Sequence, residues 1–181
     1  MSLPPAVFQV LMLLLVGVAA IYDIRFRRIP NWLVLPGLLL GLGLNVFLSE
    51  WQGLRLSLLG LGLASLIYFP LYLLRGMGAG DVKLMMALGS MVGWANWLGI
   101  FIITSILGGI VATLLLVSRG KLRTALVNVQ FLLQRLLSFR APYAREELDL
   151  ASPKSMKLPH GVVIAAGTLL FLIAVRVWAP R

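Results

Sequence analysis

Apolar residues along this chain fall into six runs, separated by short polar or glycine-rich segments. A helix rises 1.5 Å per residue, so about 20 apolar residues cross a hydrocarbon layer about 30 Å thick. We therefore predict an all-α membrane protein with six transmembrane helices, built as one membrane-embedded domain over residues 1–181. The predicted spans cover residues 3–22, 32–48, 56–74, 82–94, 97–117 and 161–178.

The first apolar run is read as a membrane span and not as a cleaved signal peptide. A secretory signal carries its positive charge before the apolar stretch. Here no Lys or Arg precedes the run, and the basic cluster Arg25, Arg27 and Arg28 follows it. We expect this helix to be retained.

The chain changes character between the fifth and sixth runs. Residues 119–160 carry eight Lys or Arg residues, and their apolar positions are interrupted by polar ones at nearly helical spacing. This pattern predicts an amphipathic helix over about 121–141 that lies on the membrane surface. A helix packed on the bundle is the alternative reading of the same pattern.

The composition agrees with a membrane protein and orients it. The chain is 60% hydrophobic and 12% charged, whereas a soluble domain carries about 25% charged residues. Of the 16 Lys and Arg residues, only Arg55, Arg176 and Arg181 lie on one predicted side. The positive-inside rule makes the other side cytoplasmic and both termini extracytoplasmic. We expect the basic residues to contact anionic lipid and not nucleic acid.

Two residue types that often carry chemistry are scarce. The chain has no Cys and one His, His160. Disulfides, thiolate zinc sites, cysteine nucleophiles and multi-histidine metal sites are therefore excluded within one chain. We expect no metal and no cofactor, and we expect His160 to begin the last helix.

Two of the six acidic residues stand apart from the rest. Four lie in polar connections, but Asp23 ends the first apolar run and Asp81 opens the fourth. In the predicted topology both lie at the cytoplasmic edge, where two helices can bring them together. The structural alternatives are an ion pair of Asp23 with a nearby Arg, and a helix N-cap for Asp81.

A glycine-rich segment, residues 76–81, precedes the short fourth run. Thirteen residues of helix measure about 20 Å, less than the hydrocarbon thickness, so irregular backbone is expected below the membrane surface. Such backbone is tolerated where it is buried in protein or lines a watered cavity. Two carboxylates beside water suit hydrolysis: the ionised one activates the water, and the protonated one polarises the scissile carbonyl.

At these residues the sequence resembles the type IV prepilin peptidases, the bacterial branch of the Gly-x-Gly-Asp intramembrane aspartyl proteases. The segments that carry this resemblance are distributed over nearly the whole chain, and their order, spacing and positions among the six spans agree with the family. The matching segments are Tyr-Asp-Ile-Arg at 22–25, Ile-Pro-Asn at 29–31, Gly-Met-Gly-Ala-Gly-Asp-Val-Lys-Leu at 76–84 and Lys-Leu-Pro-His-Gly at 157–161.

The resemblance implies a catalytic pair and a substrate class. It implies that Asp23 and Asp81 are catalytic, and we expect Gly78, Gly80 and Lys83 to bind substrate or shape the loop. The implied substrate is a prepilin or pseudopilin precursor, whose basic leader is removed at the cytoplasmic face of the bacterial inner membrane. Larger members carry a tetra-cysteine zinc domain and also N-methylate the product. This chain resembles the short tight-adherence pilus members, so methylation is not expected. Archaeal preflagellin peptidases are close relatives of the same pattern.

Two other classes of protein stay open from the residues alone. Asp23 and Asp81 could be protonation sites of a proton-coupled carrier. Their placement at one membrane face and the absence of repeated halves count against a carrier. A non-catalytic assembly factor is the third reading.

Overall fold

The computed structural model describes residues 3–73, 77–120, 123, 127, 130 and 160–178, and this part of the chain is helical and without strands. The all-α prediction is therefore confirmed for it. Within the described residues, four helices are long and apolar enough to cross a membrane. They are α1 (Ala6–Phe26), α2 (Asn31–Leu73), α3 (Ala79–Ser118) and α4 (His160–Trp178).

The count of four differs from the six separate spans of the prediction. The predicted spans 32–48 and 56–74 run together in α2, and the predicted spans 82–94 and 97–117 run together in α3. Each of these long helices contains a break with non-helical backbone angles. Each of α2 and α3 therefore consists of two helical segments joined at a point where the chain changes direction.

The break in α2 lies at Ser49 and Glu50. Glu50 has φ 47° and ψ −128°, outside the helical region. A Cβ on Gly53 would overlap the carbonyl oxygen of Asn45, although eight residues of straight helix would separate the two by about 12 Å. The chain thus turns back on itself here. The predicted polar link over 49–55 is confined to two residues.

The break in α3 lies at Gly93. Its φ of 73° and ψ of 174° belong to a region that is essentially open to glycine alone. Trp97 Nε1 donates to the carbonyl oxygen of Met85 over 2.9 Å, whereas a straight helix would place them about 18 Å apart. The short interval between the fourth and fifth apolar runs, flanked by Trp94 and Trp97, predicts a tight interfacial turn at 94–97. That prediction is wrong, because the reversal occurs at Gly93 and residues 94–97 are helical.

Polar side chains bind the backbone carbonyls beside the Gly93 break. Asn45 Nδ2 donates to the carbonyl oxygens of Ser90 and Met91 at 2.9 and 3.0 Å, and Ser57 Oγ donates to Ser90 O at 2.6 Å. A break frees carbonyls from their helical partners, and an apolar surrounding offers them no water. These side chains supply the missing donors and tie both halves of α2 to the break.

Replacing Gly93 with alanine is expected to lower the free energy of unfolding by about 1–3 kcal/mol, because alanine is strained at these backbone angles. Thermal unfolding of the detergent-solubilised protein measures the effect. Gly43→Ala is the matched control, since a Cβ there meets nothing within 4 Å. Equal melting temperatures for the two variants would contradict the assigned turn.

The helices pack against one another mainly in three pairs. Helix α2 lies along α3, and α4 lies against both α1 and α3. At the closest approach, a Cβ on Gly60 would overlap the carbonyl oxygen of Gly89, so the two backbones touch as in small-residue membrane interfaces. Large apolar side chains both fill the interior and cover the outside. The fully buried ones include Phe8, Met12, Leu84, Leu88, Trp97 and Phe171.

Some predictions fall partly or wholly outside the described residues. Of the predicted amphipathic segment 121–141, only Arg123, Val127 and Gln130 are described, and these are helical and exposed. A surface helix here stays a prediction. The expectation that His160 begins the last helix is confirmed by α4.

Candidate active site

Asp23 lies one turn before the end of α1 and is buried. Only 7% of the Asp23 surface is exposed. The Oδ2 atom of Asp23 accepts a hydrogen bond from the backbone N–H of Gly161 at 2.8 Å. Gly161 is the second residue of α4, and the first N–H groups of a helix have no partner within it and carry a partial positive charge. The ion pair of Asp23 with Arg27 or Arg28, the structural alternative considered from the sequence, stays a prediction.

Gly161 is a glycine because Asp23 lies against it. A Cβ at this position would stand 3.0 Å from the Cβ of Asp23 and 3.1 Å from its Oδ2. Sequence reasoning did not select Gly161 as a site residue. The available signal was its place in the Lys-Leu-Pro-His-Gly segment at 157–161, which by itself says nothing about a carboxylate partner.

Asp81 lies in the first turn of α3 and is half-buried. The helix is capped by Gly78, so the alternative role of Asp81 as the N-cap is wrong. Asp81 instead turns back toward the cap, since a Cβ on Gly78 would stand 3.1 Å from its Oδ2. A carboxylate in a first helical turn is stabilised by the positive end of the helix.

The structure brings Asp23 and Asp81 together from different helices. Asp81 interacts electrostatically with Asp23 on α1 and with His160 on α4. The consecutive residues His160 and Gly161 therefore face one carboxylate each, and the start of α4 organises the pair. Among the described residues, no cluster of three or more His, Asp or Glu side chains is placed to hold a metal ion.

Gly80 and Lys83 hold the connection between α1 and α2 against the start of α3. A Cβ on Gly80 would stand 2.9 Å from the Cβ of Ile29. On the next turn, Lys83 Nζ donates to Asn31 Oδ1 at 2.9 Å. Gly80 and Lys83 thus shape this connection geometrically, while any contact of theirs with a substrate stays a prediction.

A pocket of about 350 Å³ lies at the end of α1 and the beginning of α2, and neither Asp23 nor Asp81 is among its lining residues. Tyr22 in its wall directly precedes Asp23, and Ile29 in its wall also touches Gly80. The pocket therefore borders the elements that carry both carboxylates. Its lining residues are Tyr22, Phe26, Arg28, Ile29, Pro30 and Asn31.

The bundle of long apolar helices defines the class of protein: an α-helical membrane protein, in which two carboxylates lie within electrostatic range of each other. The sequence model of the type IV leader peptidase family matches residues 10–113, more than half of the chain. The chain belongs to this family, and the resemblance read from its motifs is confirmed. The matched region contains Asp23 and Asp81 but ends before α4.

Two similar proteins are named prepilin leader peptidase/N-methyltransferase. The chain is 29% identical over 127 residues to the one from Myxococcus xanthus (strain DK1622), which covers 67% of this chain and 38% of that protein. It is 35% identical over 97 residues to the one from Pseudomonas putida, which covers 50% of this chain and 33% of that protein. The matches thus span little more than a third of those relatives. No solved structure matches the chain significantly.

Proposed function

We propose that this chain is an intramembrane aspartyl endopeptidase that removes the basic leader of prepilin or pseudopilin precursors at the cytoplasmic membrane face. The observation that supports the proposal is the placement of Asp23 and Asp81, on separate helices, within electrostatic range of each other in a member of a leader peptidase family. The proposed substrate class is taken from the names of the two similar proteins. We extend only the peptidase part of those names to this chain, because paired carboxylates suit hydrolysis.

The proposed reaction uses the two carboxylates in different protonation states. Close carboxylates do not both ionise easily, so the pair holds one proton. The ionised carboxylate takes a proton from water as the water oxygen bonds to the scissile carbonyl carbon, and the protonated one donates to the carbonyl oxygen. When the tetrahedral intermediate collapses, the C–N bond breaks and the leaving nitrogen takes a proton from the carboxyl that is now protonated. One hydroxyl of the intermediate gives its proton to the other carboxylate as the C=O bond re-forms, so the pair again holds one proton.

The surroundings of Asp23 suit this role. Its hydrogen bond from the Gly161 N–H fixes the direction of one oxygen, and we assign Asp23 as the candidate general base. Asp81 becomes the candidate acid.

We also propose that the chain crosses the membrane six times, with the two reversals outside the cytoplasm. The contacts across the breaks at Glu50 and Gly93 support this, as does the position of the basic residues. Since the chain has no Cys, single cysteines report topology directly. We expect Trp51→Cys to react with an impermeant thiol reagent from outside intact cells, and Ser118→Cys to react only after permeabilisation. Reaction of both from the same side would contradict six crossings.

The proposed activity is tested by incubating the purified, detergent-solubilised protein with a candidate prepilin precursor and sequencing the new N-terminus of the product. We expect a single cleavage between the basic leader and the apolar segment. The double variant Asp23→Asn/Asp81→Asn, purified in the same way, measures any contaminating peptidase. A wild-type protein that cleaves no more precursor than this variant would overturn the proposal.

Gly161→Ala is expected to reduce precursor cleavage by about 10-fold or more while the fold is retained, because the added methyl displaces Asp23 and misplacing a reacting group by about 1 Å can cost 10²-fold. Cleavage rates at saturating precursor measure the loss. The control is Gly17→Ala on α1, where a Cβ meets nothing within 4 Å. Unchanged cleavage by Gly161→Ala would show that its contact with Asp23 is irrelevant to the reaction.

A further inference from the structure

We propose that the hydroxyl of Tyr68 on α2 positions the Asp81 carboxylate during the reaction, so that Tyr68 is a positioning residue of the active site. The inference rests on the proposed peptidase function and names a residue outside the motifs that the sequence singled out. It is carried by the register of two helix segments, by the burial of Tyr68 and by the aromatic residues that hold its ring.

The register follows from two contacts between α2 and α3. Gly60 touches Gly89, and Leu56 lies 3.6 Å from a Cβ placed on Gly93. Four residues forward in one segment thus correspond to four residues backward in the other, so the two segments run antiparallel. Continuing by eight residues from Gly60 and back by eight from Gly89 brings Tyr68 level with Asp81, since both helices advance about 12 Å.

The positions midway between the Gly60–Gly89 contact and the level of Tyr68 and Asp81 are tightly packed. Four residues beyond Gly60 lies Ala64, and four residues before Gly89 lies Met85, and both are fully buried. The two segments therefore stay in contact along the way from Gly60 to Tyr68. Side chains four residues apart lie on the same helix face, so Tyr68 faces the segment that begins with Asp81.

Aromatic residues fix the ring of Tyr68. Trp97 meets it edge-on with ring centroids 6.0 Å apart, and Phe101 does so at 5.8 Å. Trp97 is itself held by its hydrogen bond to Met85 O, one turn beyond Asp81. Tyr68 is 4% exposed, so its hydroxyl end has few directions available.

Tyr68 and Asp81 interact electrostatically, as the register requires. The other charged or titratable groups around Asp81 come from different elements: Asp23 from α1 and His160 from α4. Lys83, on the same helix as Asp81, is exposed and bound to Asn31. The Tyr68 phenol is thus the neutral group of α2 that lies within electrostatic range of Asp81, and in the proposal it serves as a hydrogen-bond donor.

A phenol donor at this place has a specific consequence for the reaction. It can donate to Asp81 whenever that carboxylate has given up its proton, and a hydrogen bond to a charged oxygen is stronger than one to a neutral oxygen. The contact is therefore stronger after proton donation to the substrate than before. An interaction of this kind lowers the barrier of the chemical step without tightening substrate binding.

The test compares Tyr68→Phe with Tyr72→Phe, which removes the same hydroxyl one turn away from a half-exposed ring. We expect Tyr68→Phe to lower kcat for precursor cleavage about 10- to 100-fold, the range for losing a hydrogen bond to a charged group. KM and the melting temperature should match the wild type, and Tyr72→Phe should match it in every respect. Wild-type kcat in Tyr68→Phe, or a loss matched by lower melting temperature, would overturn the proposal.

A second measurement needs no substrate. In protein labelled with ¹³C at the phenolic carbon of tyrosine, Tyr68→Phe identifies the Tyr68 signal by its disappearance. We expect Asp81→Asn to shift that signal and to leave the Tyr72 signal in place. A stationary Tyr68 signal would overturn the contact even if cleavage is confirmed. A shifted signal in a protein that cleaves nothing would overturn the peptidase function while the contact stands.

Discussion

Replacing either Asp23 or Asp81 with asparagine abolishes precursor cleavage, with an expected loss of at least about 10³-fold, because one positioned acid or base contributes typically 10²–10⁴-fold. Asparagine keeps the size of the side chain but neither takes up nor releases a proton. The reaction needs both functions, so neither carboxylate compensates for the other. Initial cleavage rates of each single variant measure the loss.

The fold should survive these two substitutions. At position 23, an asparagine oxygen can still accept the hydrogen bond from the Gly161 N–H, and Asp81 is half-buried beside glycine backbone. The matched control is Glu50→Gln, which removes a carboxylate from the break in α2. Its helix segment starts beside the site at Asn31 and runs 19 residues away from it, about 28 Å. Full cleavage by either aspartate variant, or loss of cleavage in Glu50→Gln, would contradict the assigned pair.

Gly60→Ala is expected to lower the free energy of unfolding by about 1–3 kcal/mol, as overpacking of a tight interface does, and to reduce precursor cleavage as well. The added methyl would overlap the backbone carbonyl of Gly89, and backbone has no rotamer by which to move aside. The two segments must therefore move apart, which changes the position of Tyr68 relative to Asp81. Thermal unfolding in detergent and cleavage rates measure the two effects.

Gly62→Ala is the control for this substitution. It lies two residues further along the same helix, where a Cβ meets nothing within 4 Å, and a helical Gly→Ala change is by itself neutral or slightly stabilising. The pair therefore separates the backbone contact from helix propensity. If Gly60→Ala melts at the same temperature as Gly62→Ala, the close crossing of α2 and α3 is not formed.

The prediction of Asp23 and Asp81 as the site depended on the scarcity of acids in an apolar chain. A carboxylate next to a membrane span is costly to bury, so it invites a functional reading. The structure adds that both are drawn together, but it does so through partners that the spacing of residues did not indicate. Gly161 is 138 residues from Asp23 along the chain, and such a contact leaves no local pattern.

The positions of the turns show where local reasoning is weakest. The sequence pattern placed a turn at 94–97 because two tryptophans, typical interfacial anchors, flank the short interval between two apolar runs. The structure turns at Gly93, because the required φ is positive and glycine adopts it without strain. Similarly, the polar residues 51–55 continue a helix, since only Ser49 and Glu50 leave helical geometry.

The sequence by itself determined the helical membrane class through run length and hydrophobicity, and the family through the resemblance of its motifs. It also singled out the two aspartates as the predicted site, because acids are rare in apolar surroundings. Tertiary structure decided how the aspartates meet and which groups attend them. Gly161 and His160 reach the pair through the packing of α4, and Tyr68 reaches it through the register set by Gly60 and Gly89. These contacts join residues far apart in the chain, so they depend on how helices cross and not on any local pattern.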